Sequence, residues 1–246
     1  MVVYDLSPTL SPRTGVFPGD VAFRRDVSMS FSKGHHLALS SVTTTLHIGS
    51  HADAVSHYSA EGGGIDQIQL SRYIGPAVVV RANIERGHRV SFRDLSSFGR
   101  EWIEKAEASR EAQATQNAGR GVAKFLLWTG TFPDPNSWNS DFASYDPELI
   151  SRLHAVGIVL IGIDTPSIDP ETSKELESHH TIEKFNMSVL EGLCLNGVPE
   201  GVFWMIAPPL KIEGADAGPV RALLFDSPET FPEIAHLTSV ACEEKP

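Results

Sequence analysis

The sequence predicts an α/β fold, a single domain built on a mixed sheet, and three observations carry that expectation. Short apolar runs rich in β-branched residues recur along the whole chain, helical patterns fall between them, and no internal repeat or shift of composition marks a linker within the 246 residues. Residues 1–246 are therefore expected to form one domain.

VVYDL (2–6) opens the series as a strand. The Pro- and Gly-rich stretch SPTLSPRTGVFPGD (7–20) is too polar and too broken for core, and is expected to form an N-terminal arm near the site. Further strands are expected at SSVTTTLHI (40–48), AVVVRANI (77–84), KFLLWTG (124–130), GIVLIGID (157–164), SVLEGLCL (188–195), GVFWMIAPPLKI (201–212) and VRALLF (220–225). Many of these runs are continuous rather than alternating, which implies cover on both faces. A helical pattern runs around 92–115, where the polar tract SREAQATQNAG reads as an extended surface helix or a loop, and helices are expected at DPELISRLHAVG (146–157) and at PETSKELES (170–178), which opens on Pro. The tail after about residue 226 reads as peripheral.

Composition narrows the functional classes. The chain carries a net charge of −11, with its Lys and Arg residues scattered singly, so it would repel a phosphate backbone and no nucleic-acid partner is expected. No apolar run approaches the roughly 20 residues that span a bilayer, and MVVYDLSPTL places an acidic residue where a secretion signal carries basic ones. Only Cys194 and Cys242 are present, too few for a cystine framework, and Cys194 in VLEGLCL reads as a buried free thiol. A cytoplasmic protein without a membrane partner is expected.

The stretch HIGSHADAVSH (47–57) is the densest group of metal-binding side chains in the sequence. His47, His51, Asp53 and His57 share one parity, so an extended chain places them on one face. A straight strand would hold His47 and His51 roughly 13 Å apart, too far to share an ion bound at roughly 2 Å. The chain must therefore bend, and Gly49 supplies the hinge. The expectation is a strand that ends at His47, turns at Gly49 and returns His51 and Asp53 to a common point. Two imidazoles and a carboxylate suit zinc or manganese, and the carboxylate can bridge two ions. His57 is left beside the metal rather than on it.

These residues leave an ion incompletely coordinated, so a distant contributor is required. HHTIEKFNMSVLEGL (179–193) offers His179 or His180, expected to follow a short helix, and Glu191 inside an apolar strand, where a carboxylate must be paired or metal-bound. An ion pair between Glu191 and a Lys or Arg is the competing reading. His35, His36, His88, His154 and His236 read as surface or hydrogen-bonded residues, and Asp164 as a turn cap.

HIGSHADAVSH resembles the HxGTHxDxPxH signature of the cyclase-like metal-dependent hydrolases. Four further segments, VFPGD (16–20), GIDTPSIDP (162–170), SHHTI with VLEGL (178–193) and LKIEGADAGPVRALL (210–224), resemble the bacterial-type kynurenine formamidases, in the family's order over nearly the whole chain. The resemblance implies a swivelling β/β/α fold, a homodimer and two divalent ions, usually zinc. It assigns His47, His51 and Asp53 to one ion, with Asp53 reaching the second. It places His179 on the second ion, Glu191 on both, and makes His57 the acid/base. Phe17 stands where the family has Trp, keeping an aromatic substrate wall without an indole donor, and Val55 replaces a Pro, which should loosen the loop of His57. The segment 101–121 looks longer than typical.

The substrate implied is a small aromatic formamide, N-formyl-L-kynurenine, hydrolysed to L-kynurenine and formate in tryptophan degradation. A related cyclic-amide hydrolase of the isatin type and a non-catalytic metal-binding relative are the alternatives. The sequence contains neither G-x-S-x-G nor H-E-x-x-H, so serine-hydrolase and zincin routes lack their motifs.

Overall fold

A computed structural model describes residues 1–113 and 122–226. The strands in chain order are β1 (Val3–Asp5), β2 (Arg24–Met29), β3 (Leu39–Thr43), β4 (His51–Asp53), β5 (Ile74–Arg81), β6 (Arg89–Val90), β7 (Lys124–Trp128), β8 (Ser144–Tyr145), β9 (Leu160–Ile163), β10 (Ser188–Leu190), β11 (Gly201–Ile206), β12 (Ala217–Pro219) and β13 (Leu223–Phe225). The helices are α1 (Ser97–Gln113), α2 (Pro147–Ala155) and α3 (Glu177–Lys184).

Seven strands form one sheet in the order β1-β13-β11-β5-β7-β9-β10. From β5 through β7 and β9 to β10 the pairing is parallel, whereas β11, β13 and β1 join antiparallel. The sheet is thus mixed, as the sequence pattern predicts. Its continuous apolar strands are explained by cover on both faces. Val78, Val80, Phe125, Leu127, Ile161 and Val189 face a core with Ile103 of α1, Leu149, Ile150 and Leu153 of α2 and Ile182 of α3. Ala77, Val79, Leu126, Leu160, Phe203 and Met205 face an opposite core with Leu6, Ala52, Ile65 and Tyr73. No helix among the described residues is long and apolar enough to cross a membrane.

Several expected elements are shorter or elsewhere. The run 40–48 is a strand only as Leu39–Thr43, and it pairs with β2 in a separate hairpin absent from the sequence reading. The run 188–195 leaves the sheet after Leu190, because Gly192 turns with φ +65°. The run 201–212 ends as a strand at Ile206, two residues before Pro208 and Pro209. Residues 170–176 are turns, and the helix starts at Glu177, so His179 lies within α3 rather than after a helix. The 146–157 helix forms as α2, with the Asp146 carboxylate accepting the Glu148 N–H at 2.7 Å as its cap. Residues 114–121, the tail from 227, His236 and Cys242 lie outside the described residues. Cys194 is half-buried, not fully buried, and burial pushes its thiol pKa up.

Lys124 opens β7 at only 3% exposure, and its ammonium has no ion pair or hydrogen bond among the described residues. Burial pulls its pKa down to about 8. The folded state therefore releases this proton more readily than the unfolded chain does. Its cost to stability is present at neutral pH and fades as the pH rises from about 8 through the ordinary lysine range. Lys124→Met should raise the thermal unfolding midpoint at pH 7, by about 1–3 kcal/mol of stability, with a gain that narrows by pH ~10. Calorimetry at the two pH values measures both effects.

Candidate metal centre

The C-terminal ends of the parallel strands gather the polar residues. β10 delivers Glu191, and β4 delivers His51 and Asp53 opposite it. His51 N donates to Glu191 O at 3.1 Å and Glu191 N to His51 O at 3.0 Å, a single antiparallel bridge between the two segments. β12 flanks β4 on the other side, pairing Ala217 with Asp53 and Pro219 with His51. The bend expected at Gly49 is present, with φ +55°. A β-carbon at Gly192 would lie 2.1 Å from the Gly49 carbonyl oxygen, so only Gly lets the two turns touch. The bend brings the His47 and His51 ring centroids to 5.1 Å. The strand before it stops at Thr43, however, and residues 44–50 carry the turn.

Asp53 and Glu191, both buried, each turn one oxygen to either side of the group. On one side Asp53 Oδ1 is 3.1 Å from His47 Nδ1 and 3.4 Å from His51 Nε2, and Glu191 Oε2 is 3.3 Å from His51 Nε2. On the other, Asp53 Oδ2 is 3.3 Å and Glu191 Oε1 3.5 Å from His179 Nε2. Glu191 Oε1 also accepts the Ile168 N–H at 2.7 Å. No Lys or Arg among the described residues pairs with Glu191, contrary to the competing ion-pair reading. His180 faces outward beside Glu183, so of the two adjacent histidines only His179 enters the group.

The other ring nitrogens are held by groups that fix the tautomers. His51 Nδ1 lies 3.0 Å from Gly49 O and can only donate there, which leaves the Nε2 lone pair aimed at the carboxylates. His179 Nδ1 lies 2.8 Å from Asp169 Oδ2, with the same consequence. Asp169 is itself fixed by the Ser178 and His179 N–H groups and by Arg89 at 3.0 Å. His47 Nε2 meets Asp216 Oδ2 at 2.9 Å, leaving Nδ1 for the group.

The electrostatics call for added positive charge. Burial resists ionisation of Asp53, yet His179, His47 and His51 hold its carboxyl well below the usual range. Glu191 is also held low: burial and Asp53 oppose its charge, but His179 and His51 outweigh them. Burial resists a charge on His47, but Asp53, Asp216 and Glu191 push it up to about 9. His179 rises for the same kind of reason, with Asp169, Asp53 and Glu191 against burial. His51 Nε2 and Asp53 Oδ1 are buried without a hydrogen-bond partner. Two orphaned acceptors inside a His/Asp/Glu set at metal-ligand range fit a divalent cation.

Two sets of donor atoms lie within 4.8 Å of one another, His51 with Asp53 and Glu191, and His47 with Asp53 and His57. Asp53 is common to both. His57, expected beside the metal, thus stands within ligand range, its ring centroid 4.1 Å from that of His47. Burial lowers its pKa. Its segment Val55–His57 is a 3₁₀ turn in which His57 N donates to Ala54 O at 3.1 Å.

A cavity of about 500 Å³ opens on this group, lined by His47, His57, His179 and Glu191 and by Phe17, Asp20, Trp138 and Glu171. Phe17 packs edge-on against Trp138 with centroids 5.6 Å apart. Asp164 is outside this cavity and caps a turn other than its own DTPSIDP: it accepts the Thr129 and Gly130 N–H groups from the end of the neighbouring strand β7, and burial raises its carboxyl to about 6. His154 stacks on Phe185 at 4.3 Å, and His35 and His36 are on the hairpin. Asp169, Asp216, Trp138 and Glu171 were not anticipated as site residues. Asp169 and Asp216 sit inside GIDTPSIDP and LKIEGADAGPVRALL, the segments in which a signal was present.

This mixed sheet, ending in a buried His/Asp/Glu group, defines a cyclase-like hydrolase fold. The Cyclase family model matches residues 4–170, and the chain belongs to that family. Within it, the chain is 38% identical over 226 residues to the kynurenine formamidase of Maricaulis maris (strain MCS10), covering 92% of this chain and 99% of that one. It is 37% identical over 225 residues to the kynurenine formamidase of Delftia acidovorans (strain DSM 14801 / SPH-1), covering 90% and 96%. Two solved structures share the fold. One, of a potential metal-dependent hydrolase with cyclase activity, superposes with TM-score 0.69 at 23% identity, over 92% of this chain and 98% of that one. The other, isatin hydrolase A from Labrenzia aggregata, superposes with TM-score 0.68 at 21% identity, over 91% and 93%.

Gly192→Ala should push the Gly49 turn away and separate Glu191 from His51. The expected result is loss of bound metal together with a stability loss of about 2 kcal/mol or more, from the disfavoured positive φ and the clash. Metal analysis and thermal unfolding of the purified variant measure both.

Proposed function

We propose that the chain is a kynurenine formamidase that hydrolyses N-formyl-L-kynurenine to L-kynurenine and formate in tryptophan degradation. The observation that carries this reading is identity of 38% over 99% of a protein of that name, in a chain whose buried carboxylates and imidazoles converge on one cavity. Two divalent ions, zinc in the first instance with manganese as the alternative, suit the two-sided arrangement of Asp53 and Glu191. His47 Nδ1 and His51 Nε2 would complete one site and His179 Nε2 the other. When bound, the ions supply Lewis acidity that activates water and polarises the formyl carbonyl.

The chain's own groups do the rest. Phe17 and Trp138 wall the cavity and orient the aryl ring. Water oxygen adds to the formyl carbon, the C–N bond breaks, and the departing aryl nitrogen must gain a proton because an anilide anion is a poor leaving group. His57, on the cavity side of the group, takes the proton from the attacking water and delivers it to that nitrogen. The homodimer of the family reading is supported by the β2–β3 hairpin: no residue from 21 to 43 is buried, and Val27, Phe31, Leu39 and Val42 stand exposed. The half-buried free thiol of Cys194 accords with a cytoplasmic setting.

Zinc-loaded enzyme should release formate from N-formyl-L-kynurenine with a kcat/KM at least tenfold above that for isatin ring opening. Preference for isatin would replace the formamidase reading with the cyclic-amide one, and turnover of neither would leave a non-catalytic metal-binding relative. His57→Ala should keep its metal while kcat falls by roughly two to four orders of magnitude. Asp53→Ala should lose metal. Metal loss in His57→Ala would instead make His57 a ligand, a role that its distance from His47 and Asp53 also permits.

A further inference from the structure

The cavity holds two acidic groups that the hydrolytic reaction does not use. Glu171 accepts the Trp138 Nε1–H at 2.7 Å through Oε2, while its second oxygen has no hydrogen-bond partner among the described residues. Asp20 lines the same cavity, and its Oδ1 accepts the Val21 N–H at 2.7 Å. No Lys or Arg lines the cavity among the described residues. Its only side chains capable of positive charge are His47, His57 and His179, at the reacting end. Away from the histidines the described lining of the cavity therefore presents carboxylate and aromatic surface, both of which attract an organic cation and neither of which attracts an anion.

We propose that Glu171 is a specificity-determining residue that binds the α-ammonium group of the substrate, with its bond to Trp138 fixing both the carboxylate and the aromatic wall. The proposal rests on the formamidase reading of the same site. It divides the amino acid end of the substrate: the ammonium is gripped by Glu171, with Asp20 adding negative potential, and the α-carboxylate points away from both carboxylates toward solvent. The bond to Trp138 matters for precision, because a carboxylate held at one oxygen has less freedom to lose when the other binds. The arrangement favours a substrate that carries an amine over an uncharged aromatic amide of the same size.

Three substrates and one variant test this. Wild-type enzyme should hydrolyse N-formyl-L-kynurenine with a kcat/KM about tenfold or more above that for 4-(2-formamidophenyl)-4-oxobutanoate, which lacks only the amino group, the difference lying mainly in KM. The α-carboxamide of N-formyl-L-kynurenine, which keeps the ammonium and loses the carboxylate charge, should be used at least as well as the parent. In Glu171→Gln, which retains an acceptor for Trp138 but no charge, the preference for the amine-bearing substrate should fall by about tenfold. Equal use of the amine-bearing and deamino substrates by the wild type, a strong loss on amidation, or an unaltered preference in Glu171→Gln would each overturn the proposal while leaving a working formamidase. Failure to hydrolyse any of the formamides would remove the formamidase reading itself. The wild-type comparisons stand even if the variant does not fold.

Discussion

The two backbone hydrogen bonds between His51 and Glu191, 3.1 and 3.0 Å long, join a three-residue strand to the edge of a seven-stranded sheet, and the site is built across that seam. Neither segment is held there by apolar packing alone, since each leaves regular structure within a residue of the bridge. What permits the approach is the absence of a side chain at Gly192, against the carbonyl of Gly49. Ser50 reinforces it: its hydroxyl lies 2.9 Å from Leu6 O and 2.8 Å from Gly192 O, within reach of both chains although it has one proton to give. Pro8 and Leu10 press on the outer side of Gly49, so the N-terminal arm backs the turn that the donors depend on.

That seam is expensive electrostatically. Asp53 and Glu191 are buried side by side, and each opposes the charge of the other or is opposed by burial. The surrounding imidazoles offset this only in part by proton sharing, because His51 and His179 have their second nitrogens committed to Gly49 O and Asp169. In the neutral form, with those nitrogens acting as donors, the inward nitrogens carry lone pairs and the two carboxylates keep oxygens without protons. A divalent cation satisfies both requirements at once, which a further hydrogen bond cannot do.

The sequence made the inner group legible because its signal is local: four residues of one parity, a Gly hinge and a Glu stranded in an apolar run. His179 could not be told from His180 by spacing, since the choice depends on the helical phase of α3, which starts at Glu177 and not at Pro170. Asp169 and Asp216 had no spacing rule to mark them. Each becomes a partner of a histidine through contacts across 10 and 169 residues, visible only once the chain is folded. The sheet was readable for a similar reason. β5, β7 and β9 are continuous apolar runs, whereas β2 buries nothing and leaves no hydrophobic periodicity to read, and β3 shows only through its β-branched residues, without its hairpin partner.

The aromatic wall shows how a substitution can be absorbed in space. Phe17 has no N–H to offer where the family resemblance implies an indole, but its ring is edge-on to Trp138, an indole brought from a loop more than a hundred residues away. Trp138 does not restore the donor, because its own Nε1–H is already bound to Glu171. It is also packed edge-on against Phe132 and Phe142, with centroids 5.7 and 6.0 Å away, and Phe142 is buried. Phe17, at 43% exposure, is held mainly by that neighbour. The firm side of the wall is therefore Trp138, and the polar handle it leaves to a bound molecule is the acceptor Glu171. A wall that offers an acceptor and no free N–H favours the donor groups of a bound molecule over its acceptors.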